Sequence, residues 1–323
     1  QVAGIRRAVL DDGRERGIRV ADVRNGGGLQ FTVLLDRGLD IGDAAYNGIP
    51  LALRTPCEYA APAFHDEYGT GWLRAWGGGL LTGCGLRNVG VSGIVDGESM
   101  PFHGRLSNSP ARNVSANAEW LDDRTCVLTV EGEVMQTRMF GENMRLKRKI
   151  TTAVGSSAFT VEDTVRNNGF RTEPVFILYH TNWGFPMLDE NASLETVEHK
   201  VEPRDDIAAD GGEEWMNMQP PTPAYREKVY FHDLPPDEDG WVCMTLRSPG
   251  TGLAATVSWP KAELPKLIEW KMMNQGEYAL GIEPSNCTVL GRAEALKEGP
   301  HCLLEPGQSS TFHVTIAIHP MQS

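Results

Sequence analysis

The sequence lacks the patterns that mark several common classes of protein. Its six cysteines include no Cys-x-x-Cys pair, which argues against a zinc ribbon or a thioredoxin-like redox site. No apolar run reaches the roughly 18 residues of a membrane-spanning helix. The glycine-rich residues 76–90 lack the Gly-Lys-Ser/Thr ending of a phosphate loop. A nucleotide, a structural zinc ion and a membrane span are therefore not expected.

Positive charge is also scarce. The chain of 323 residues carries 30 Lys and Arg against 43 Asp and Glu, a net charge of −13. Such a surface repels phosphate backbones and anionic lipids, so neither nucleic acid nor membrane is expected as a partner. The first residues contain no apolar signal core. Because the sequence does not begin with Met, a removed or omitted segment is an expectation. Scattered cysteines in a chain this long favour reduced thiols and a cytoplasmic location.

Helical periodicity is missing from most of the chain, whereas short alternating runs separated by turn residues are frequent. Examples are the runs 124–136, 144–169 and 310–320. This pattern predicts an all-β protein, a large antiparallel two-sheet sandwich formed by a single domain over residues 1–323. The polar, acidic segment 189–228 is expected to be an irregular excursion from that domain.

A carboxylate stands out in the stretch YALGIEPSNC, residues 278–287. If the stretch is extended, Ala279, Gly281 and Glu283 share one face, which carries almost no other side-chain bulk. Pro284 is expected to end the strand there. Glu283 is either an ordinary surface residue at a strand end or a functional carboxylate facing open space.

A histidine ends the apolar strand in FILYHTNWG, where Phe176, Leu178 and His180 share a face. His180 is either a core histidine with satisfied hydrogen bonds or a proton donor and acceptor near neutral pH. Asn182 follows on the same face. Four tryptophans are candidates to stack on an apolar ligand surface or to lie in the core: Trp72, Trp76, Trp183 and Trp270.

Further polar residues are candidates for binding oxygen atoms. In MPFHGRLSNSPA, an extended backbone would place His103, Arg105 and Ser107 on one face, although a plain surface loop explains them equally. Arg87 and Asn88 end the glycine-rich stretch. The remaining candidate, Asp233, lies in a polar turn.

Taken in order, HGRLSNSPA, LYHTNWGFP and YALGIEPSNC resemble the motifs of the aldose 1-epimerase (galactose mutarotase-like) superfamily. LLDRGLDIGDAAYNGIPL and GGGLLTGCGL are similar to its bacterial aldose 1-epimerase-like branch. The resemblance covers nearly the whole chain. It implies a β-supersandwich that interconverts the anomers of a sugar by acid–base ring opening, with no metal and no other cofactor, as a monomer or homodimer.

The resemblance also implies roles for individual residues. Glu283 matches the base and His180 the acid, while His103 and Arg105 match substrate-binding positions. Arg87 and Asn88 stand where the family has an Asn-Arg pair, here in reversed order. Asp233 matches a sugar-binding aspartate loosely, and Asn182 and Trp270 complete the predicted binding set. Activity is expected to fall at low pH as Glu283 takes up a proton.

Two other functions remain open from the residues alone. A carbohydrate-binding protein would keep the groove without needing both Glu283 and His180. A metal-dependent, cupin-like isomerase would use His103, His180 and Glu283 as ligands, although the closely spaced His-x-His of such sites is absent.

Overall fold

The computed structural model describes residues 2–210, 214–299 and 302–321. Strands dominate the described residues. In chain order they are β1 (Gly4–Val9), β2 (Arg19–Arg24), β3 (Leu29–Leu34), β4 (Asp40–Tyr46), β5 (Ile49–Pro50), β6 (Leu53–Arg54), β7 (Gly78–Gly79), β8 (Leu81–Leu86), β9 (Gly93–Val95), β10 (Glu98–Met100), β11 (Arg112–Trp120), β12 (Cys126–Thr137), β13 (Asn143–Ala153), β14 (Ala158–Asn167), β15 (Glu173–Pro174), β16 (Phe176–Trp183), β17 (Ser193–Glu195), β18 (Lys200–Pro203), β19 (Lys228–Asp233), β20 (Trp241–Ser248), β21 (Leu253–Pro260), β22 (Lys266–Asn274), β23 (Glu277–Ser285), β24 (Leu303–Leu304) and β25 (Ser309–Pro320).

Two large antiparallel sheets form the body of the molecule. The first follows the order β1-β2-β3-β4-β8-β16-β23-β22-β19-β18, with β5 paired to β4, and the second follows β11-β12-β13-β14-β25-β21-β20-β17. Three small two-stranded sheets, β6–β7, β9–β10 and β15–β24, are separate from the two large ones. The predicted all-β, two-sheet class is confirmed.

Helical segments are short among the described residues. The α-helices are α1 (Asp206–Ala209) and α2 (Arg292–Ala295), and the 3₁₀ segments are Gly13–Glu15, Pro62–Phe64, Gly71–Arg74, Leu106–Asn108 and Leu296–Glu298. None of the helices in this part of the chain has the length and apolarity needed to cross a membrane.

One apolar core lies between the two large sheets. Strands such as β12, β13 and β14 alternate buried and more exposed residues, as expected for a sheet with one covered face. The buried cluster contains residues from Ala21 to Ile318, so both ends of the described chain contribute to it. All six cysteines are free thiols.

The segment 189–228 is more regular than predicted. Its β17 pairs with β20 in the second sheet, and its β18 pairs with β19 at the edge of the first. Both strands are too short for their alternation to be recognised in the sequence. Residues 211–213 of this predicted excursion lie outside the described residues.

Strand β23 also differs from the prediction, because it continues through Pro284 to Ser285. On one side, β22 pairs with β23 without interruption, including Leu267 with Pro284. On the other side, β23 pairs with β16 at Ser285 and again from Ile282. A proline has no N–H to give to a ladder, and this local gap accommodates it inside the sheet.

Candidate active site

An apolar cavity with a few converging polar groups opens on the outer face of the first sheet. It has a volume of about 290 Å³, at the small end of ligand pockets. The lining residues are Thr70, Trp72, Leu73, Trp76, Gly90, Val91, Phe102, His103, His180, Arg204, Glu227, Val229, Ile268, Trp270, Glu283 and Val289. A larger depression of about 530 Å³ lies over β2–β4 but contains none of the predicted site residues.

Neighbouring strands bring His180 and Glu283 together on the cavity floor. The register that pairs Leu178 with Ser285 and Thr181 with Ile282 sets His180 on β16 opposite Glu283 on β23. The His180 Nε2 and Glu283 Oε1 atoms are 3.1 Å apart. Their geometry is off that of a hydrogen bond, since Glu283 Oε1 has no bonded partner. Both side chains are therefore buried close to each other and have polar capacity left for a ligand.

The absence of a side chain at Gly281 leaves the space that the Glu283 carboxylate occupies. This glycine lies two residues before Glu283 on the same face of β23, and a β-carbon at Gly281 would overlap Glu283 Oε1. The predicted bare face is thus occupied by the glutamate's own carboxylate, which folds back over the glycine. A side chain at this position would push the carboxylate away from His180.

Burial controls the charge of both groups. The pKa of Glu283 is raised well above its ordinary value, mainly by desolvation and further by the nearby Glu227, while Arg204 opposes the rise. Desolvation lowers the pKa of His180 to about 4. These shifts favour two neutral side chains, with one proton held by the carboxyl, over a pair of opposite charges.

A second imidazole, that of His103, borders the floor. Its ring centroid lies 5.5 Å from that of His180, and burial holds its pKa well below the ordinary value. The Gly90 N–H donates to its Nδ1 at 3.4 Å. Nδ1 is therefore the acceptor, and the ring proton of the neutral imidazole is on Nε2. His103 is thus a neutral group with an N–H donor available.

The predicted extended backbone around His103 is wrong. His103 has a φ of 55°, Gly104 has a φ of 76°, and Leu106–Asn108 forms a 3₁₀ turn. The glycine is required because a β-carbon there would overlap the carbonyl oxygen of Gly85. As a result the chain turns sharply, and Arg105 does not line the cavity with His103.

Aromatic rings form one wall of the cavity. Trp72 stacks on Trp76 at a centroid distance of 5.3 Å, and Trp270 meets Trp76 edge-on at 5.8 Å. All three indole N–H groups already have protein acceptors, which are Ser107, Thr82 and Glu227. The tryptophans therefore offer a ligand ring surface rather than hydrogen bonds. The fourth candidate, Trp183, lies in the core between the sheets, because it points to the opposite face of β16 from His180.

The cavity rim contains an ion pair that sequence reasoning missed. Arg204 follows β18 and Glu227 precedes β19, and their side chains bond at 3.0 Å. Glu227 also accepts the indole N–H of Trp270 at 2.9 Å. Both residues belong to the segment 189–228, whose strands were not predicted. The sequence gives no motif that would have linked them to Trp270.

Two of the predicted contacts, Arg87 and Asn88, lie behind the cavity rather than on it. The Arg87 guanidinium is buried and paired with Glu98 at 2.7 Å and with Glu173 at 3.2 Å. The Asn88 amide donates to the carbonyl of Pro101 at 2.7 Å. These bonds hold the loops around the site, so the placement of both residues does not support a direct contact with substrate.

Three further predicted contacts are also outside the cavity. Arg105 bonds the Glu67 carboxylate at 3.1 Å. Asn182 is fully buried and donates to the carbonyls of Gly79 and His180. Asp233 is paired with Lys261 at 2.8 Å in a separate depression beside β19. Of the predicted set, the structure brings together His103, His180, Trp270 and Glu283.

Within residues 2–210, 214–299 and 302–321, no three His, Cys, Asp or Glu side chains are arranged to hold a metal ion. The trio of His103, His180 and Glu283, considered above as possible ligands, does not form such a group.

Solved structures with this fold include proteins named as sugar epimerases. A Klebsiella pneumoniae protein described as a candidate aldose 1-epimerase superposes with a TM-score of 0.92 at 24% identity, covering 98% of this chain and 83% of that one. A galactose mutarotase-like protein from Clostridium acetobutylicum gives 0.69 at 12% identity and 99% coverage of both chains. A galactose 1-epimerase from Lactobacillus acidophilus gives 0.63 at 10% identity, covering 99% and 100%. The chain thus shares the β-sandwich fold of these structures, which is the fold that the resemblance of its motifs implied.

The family itself follows from a match over residues 15–318 to the family described as Domain of unknown function (DUF4432). The chain belongs to this family. No curated protein matches its sequence.

Proposed function

We propose that this protein is a sugar mutarotase, an aldose 1-epimerase-like isomerase that interconverts the anomers of a monosaccharide. The observation that carries the proposal is the buried pair of Glu283 and His180, 3.1 Å apart, on the floor of an aromatic cavity. Ring opening needs one group that accepts a proton and one that donates a proton. A binding module would not need to bury both.

The reaction can be written with the protein's own side chains. One member of the pair takes the proton from the anomeric hydroxyl, the bond from C1 to the ring oxygen breaks, and the other member protonates that oxygen. Rotation about the C1–C2 bond presents the opposite face of the aldehyde. Closure reverses both transfers, so sugar and protein recover their protons. No oxidant, nucleotide or metal is required by this balance.

Glu283 and His180 hold one proton between them, so whichever residue carries that proton acts as the acid and the other acts as the base. The resemblance assigns the base to Glu283 and the acid to His180. The pKa directions favour a resting state with the proton on Glu283 and a neutral His180. In either arrangement the pair holds one proton and has one vacant acceptor, and coupled groups of this kind titrate together. His103 Nε2 is free to donate to a sugar oxygen.

The first prediction concerns how kcat/KM for anomer exchange depends on pH. Activity requires the singly protonated pair, so we expect a bell-shaped profile of kcat/KM. The acid limb should lie near pH 4, where His180 takes up the second proton. The alkaline limb should follow the raised pKa of Glu283, above which the pair loses its only proton. We expect the acid-side loss to come from His180 and not from Glu283, because burial raises the pKa of Glu283 above the range in which His180 takes up its proton. Anomer exchange measured by NMR against pH tests this, and an acid limb at the ordinary histidine pKa of about 6.5 would contradict it.

The second prediction concerns the ion pair at the cavity rim. Glu227→Ala removes the acceptor of the Trp270 indole and the partner of Arg204. We expect KM to rise about five-fold, the equivalent of one hydrogen bond, with a smaller change in kcat. The alkaline limb should move to lower pH, because Glu227 raises the pKa of Glu283. Trp270→Phe, which deletes only the indole donor and some ring area, should raise KM in the same direction. A fall in kcat with constant KM would show that the rim does not position substrate.

The proposal as a whole is tested by the rate at which the protein exchanges the two anomers of free sugars, observed by saturation-transfer NMR. Metal analysis of the purified protein separates the metal-dependent alternative.

A further inference from the structure

The cavity has a second wall that is entirely aliphatic. Val229, Ile268 and Val289 belong to one buried apolar cluster, against which Trp270 packs, and all three line the cavity. The register pairs Ile268 of β22 with Glu283 of β23. The carboxylate therefore has His180 across one neighbouring strand and an aliphatic side chain across the other.

Polar groups available to a ligand are few in comparison. The indole N–H groups are occupied, Glu227 accepts from both Arg204 and Trp270, and Arg204 donates to Asp205 and Glu227. Glu283 and His180 are assigned to the anomeric hydroxyl and the ring oxygen. His103, Thr70, the remaining guanidinium nitrogen of Arg204 and the unused lone pairs of Glu227 are then left for all other hydroxyls. None of these lies on the aliphatic wall.

A hydroxyl turned toward Val229, Ile268 and Val289 would lose its water without gaining a partner, which is unfavourable. A C–H or methyl group in the same place would instead gain apolar contact. Ile268 of this wall lies next to Glu283, which contacts the reacting centre. The edges of the sugar that can face the wall are therefore those next to the anomeric carbon and the ring oxygen, at C2 or at C6.

We infer that the substrate is a deoxy sugar, a monosaccharide in which hydrogen replaces a hydroxyl on the edge facing the wall formed by Val229, Ile268 and Val289. This inference rests on the proposed function for the orientation of the ring. The volume of about 290 Å³ suits one sugar ring rather than a longer saccharide.

Matched pairs of free sugars test the inference with the wild-type protein. D-Fucose against D-galactose and L-rhamnose against L-mannose remove only the C6 hydroxyl, and 2-deoxy-D-glucose against D-glucose removes the C2 hydroxyl. Affinity is followed by the fluorescence of the cavity tryptophans, and catalysis by anomer exchange in NMR. We expect one deoxy member to bind about 10- to 100-fold more tightly than its partner, the range for one polar group in an apolar pocket. The pair that shows this difference in affinity identifies whether the C6 edge or the C2 edge of the sugar faces the aliphatic wall.

A variant adds an independent check. Val289→Thr places a hydroxyl on the wall with little change in shape and should reduce the preference for the deoxy sugar several-fold. Val197→Thr is the matched control, since Val197 is 57% exposed and does not line the cavity.

Each outcome decides a different point. Tighter binding of a deoxy sugar without anomer exchange would support the ligand class and refute the proposed mutarotase. Equal or weaker binding of every deoxy member would overturn the inference while leaving the mutarotase intact if exchange is seen. Failure of all the sugars to bind would overturn both.

Discussion

Glu283→Gln should slow anomer exchange by about 10²- to 10⁴-fold, the usual contribution of one positioned acid–base group, while sugar binding stays close to that of the wild type. The amide keeps the shape of the side chain beside Gly281 but can neither take nor release the proton that the reaction moves. His180→Asn should have an effect of the same order. Because the two act on one shared proton, the double variant should be little slower than either single variant.

The matched control for this series is Glu277→Gln, which makes the same chemical change on an exposed residue of the same strand, β23. Its exchange rate should stay near that of the wild type. Full activity in Glu283→Gln would remove the carboxylate from the reaction. A strongly additive loss in the double variant would show that Glu283 and His180 act in separate steps.

Gly281→Ala should cost roughly as much activity as one misplaced catalytic group, about 10²-fold, with little loss of thermal stability. The added methyl overlaps Glu283 Oε1, whose movable end can yield, and lies 3.2 Å from Trp270 Cβ, which has to shift by only a few tenths of an ångström. The carboxylate then leaves its position near His180. The expected signature is a lower kcat with a near-normal unfolding temperature.

Gly93→Ala is the matched control for the glycine variant. Gly93 lies in a strand, is exposed, and a β-carbon there would meet no other atom within 4 Å. Its activity and unfolding temperature should both be close to the wild-type values. If Gly281→Ala unfolded well below the Gly93→Ala protein, the glycine would serve packing rather than the placement of Glu283.

The fold class was predictable because period-two alternation and turn residues persist along most of the chain. The positions of Glu283 and His180 were predictable for a related reason, since each lies on a strand whose face can be read by alternation. Their meeting, however, depends on the register between β16 and β23, which is a long-range pairing that local patterns do not specify.

Residues on loops were predicted less well. Around His103 the chain adopts positive φ values, so alternation does not apply and Arg105 points elsewhere. The rim residues Arg204 and Glu227 come from a segment with two very short strands. Arg87 and Asp233 are charged groups that a sequence cannot distinguish from ligand contacts until their partners, Glu98 and Lys261, are known.

The most direct test of the proposed mutarotase activity is saturation-transfer NMR of the wild-type protein with the paired sugars, at neutral pH and at catalytic concentration. We expect faster exchange between the α and β anomers of at least one sugar, with no change in the equilibrium ratio. Binding of the same sugars with no acceleration of their exchange would contradict it, and would make the cavity a binding site without catalysis.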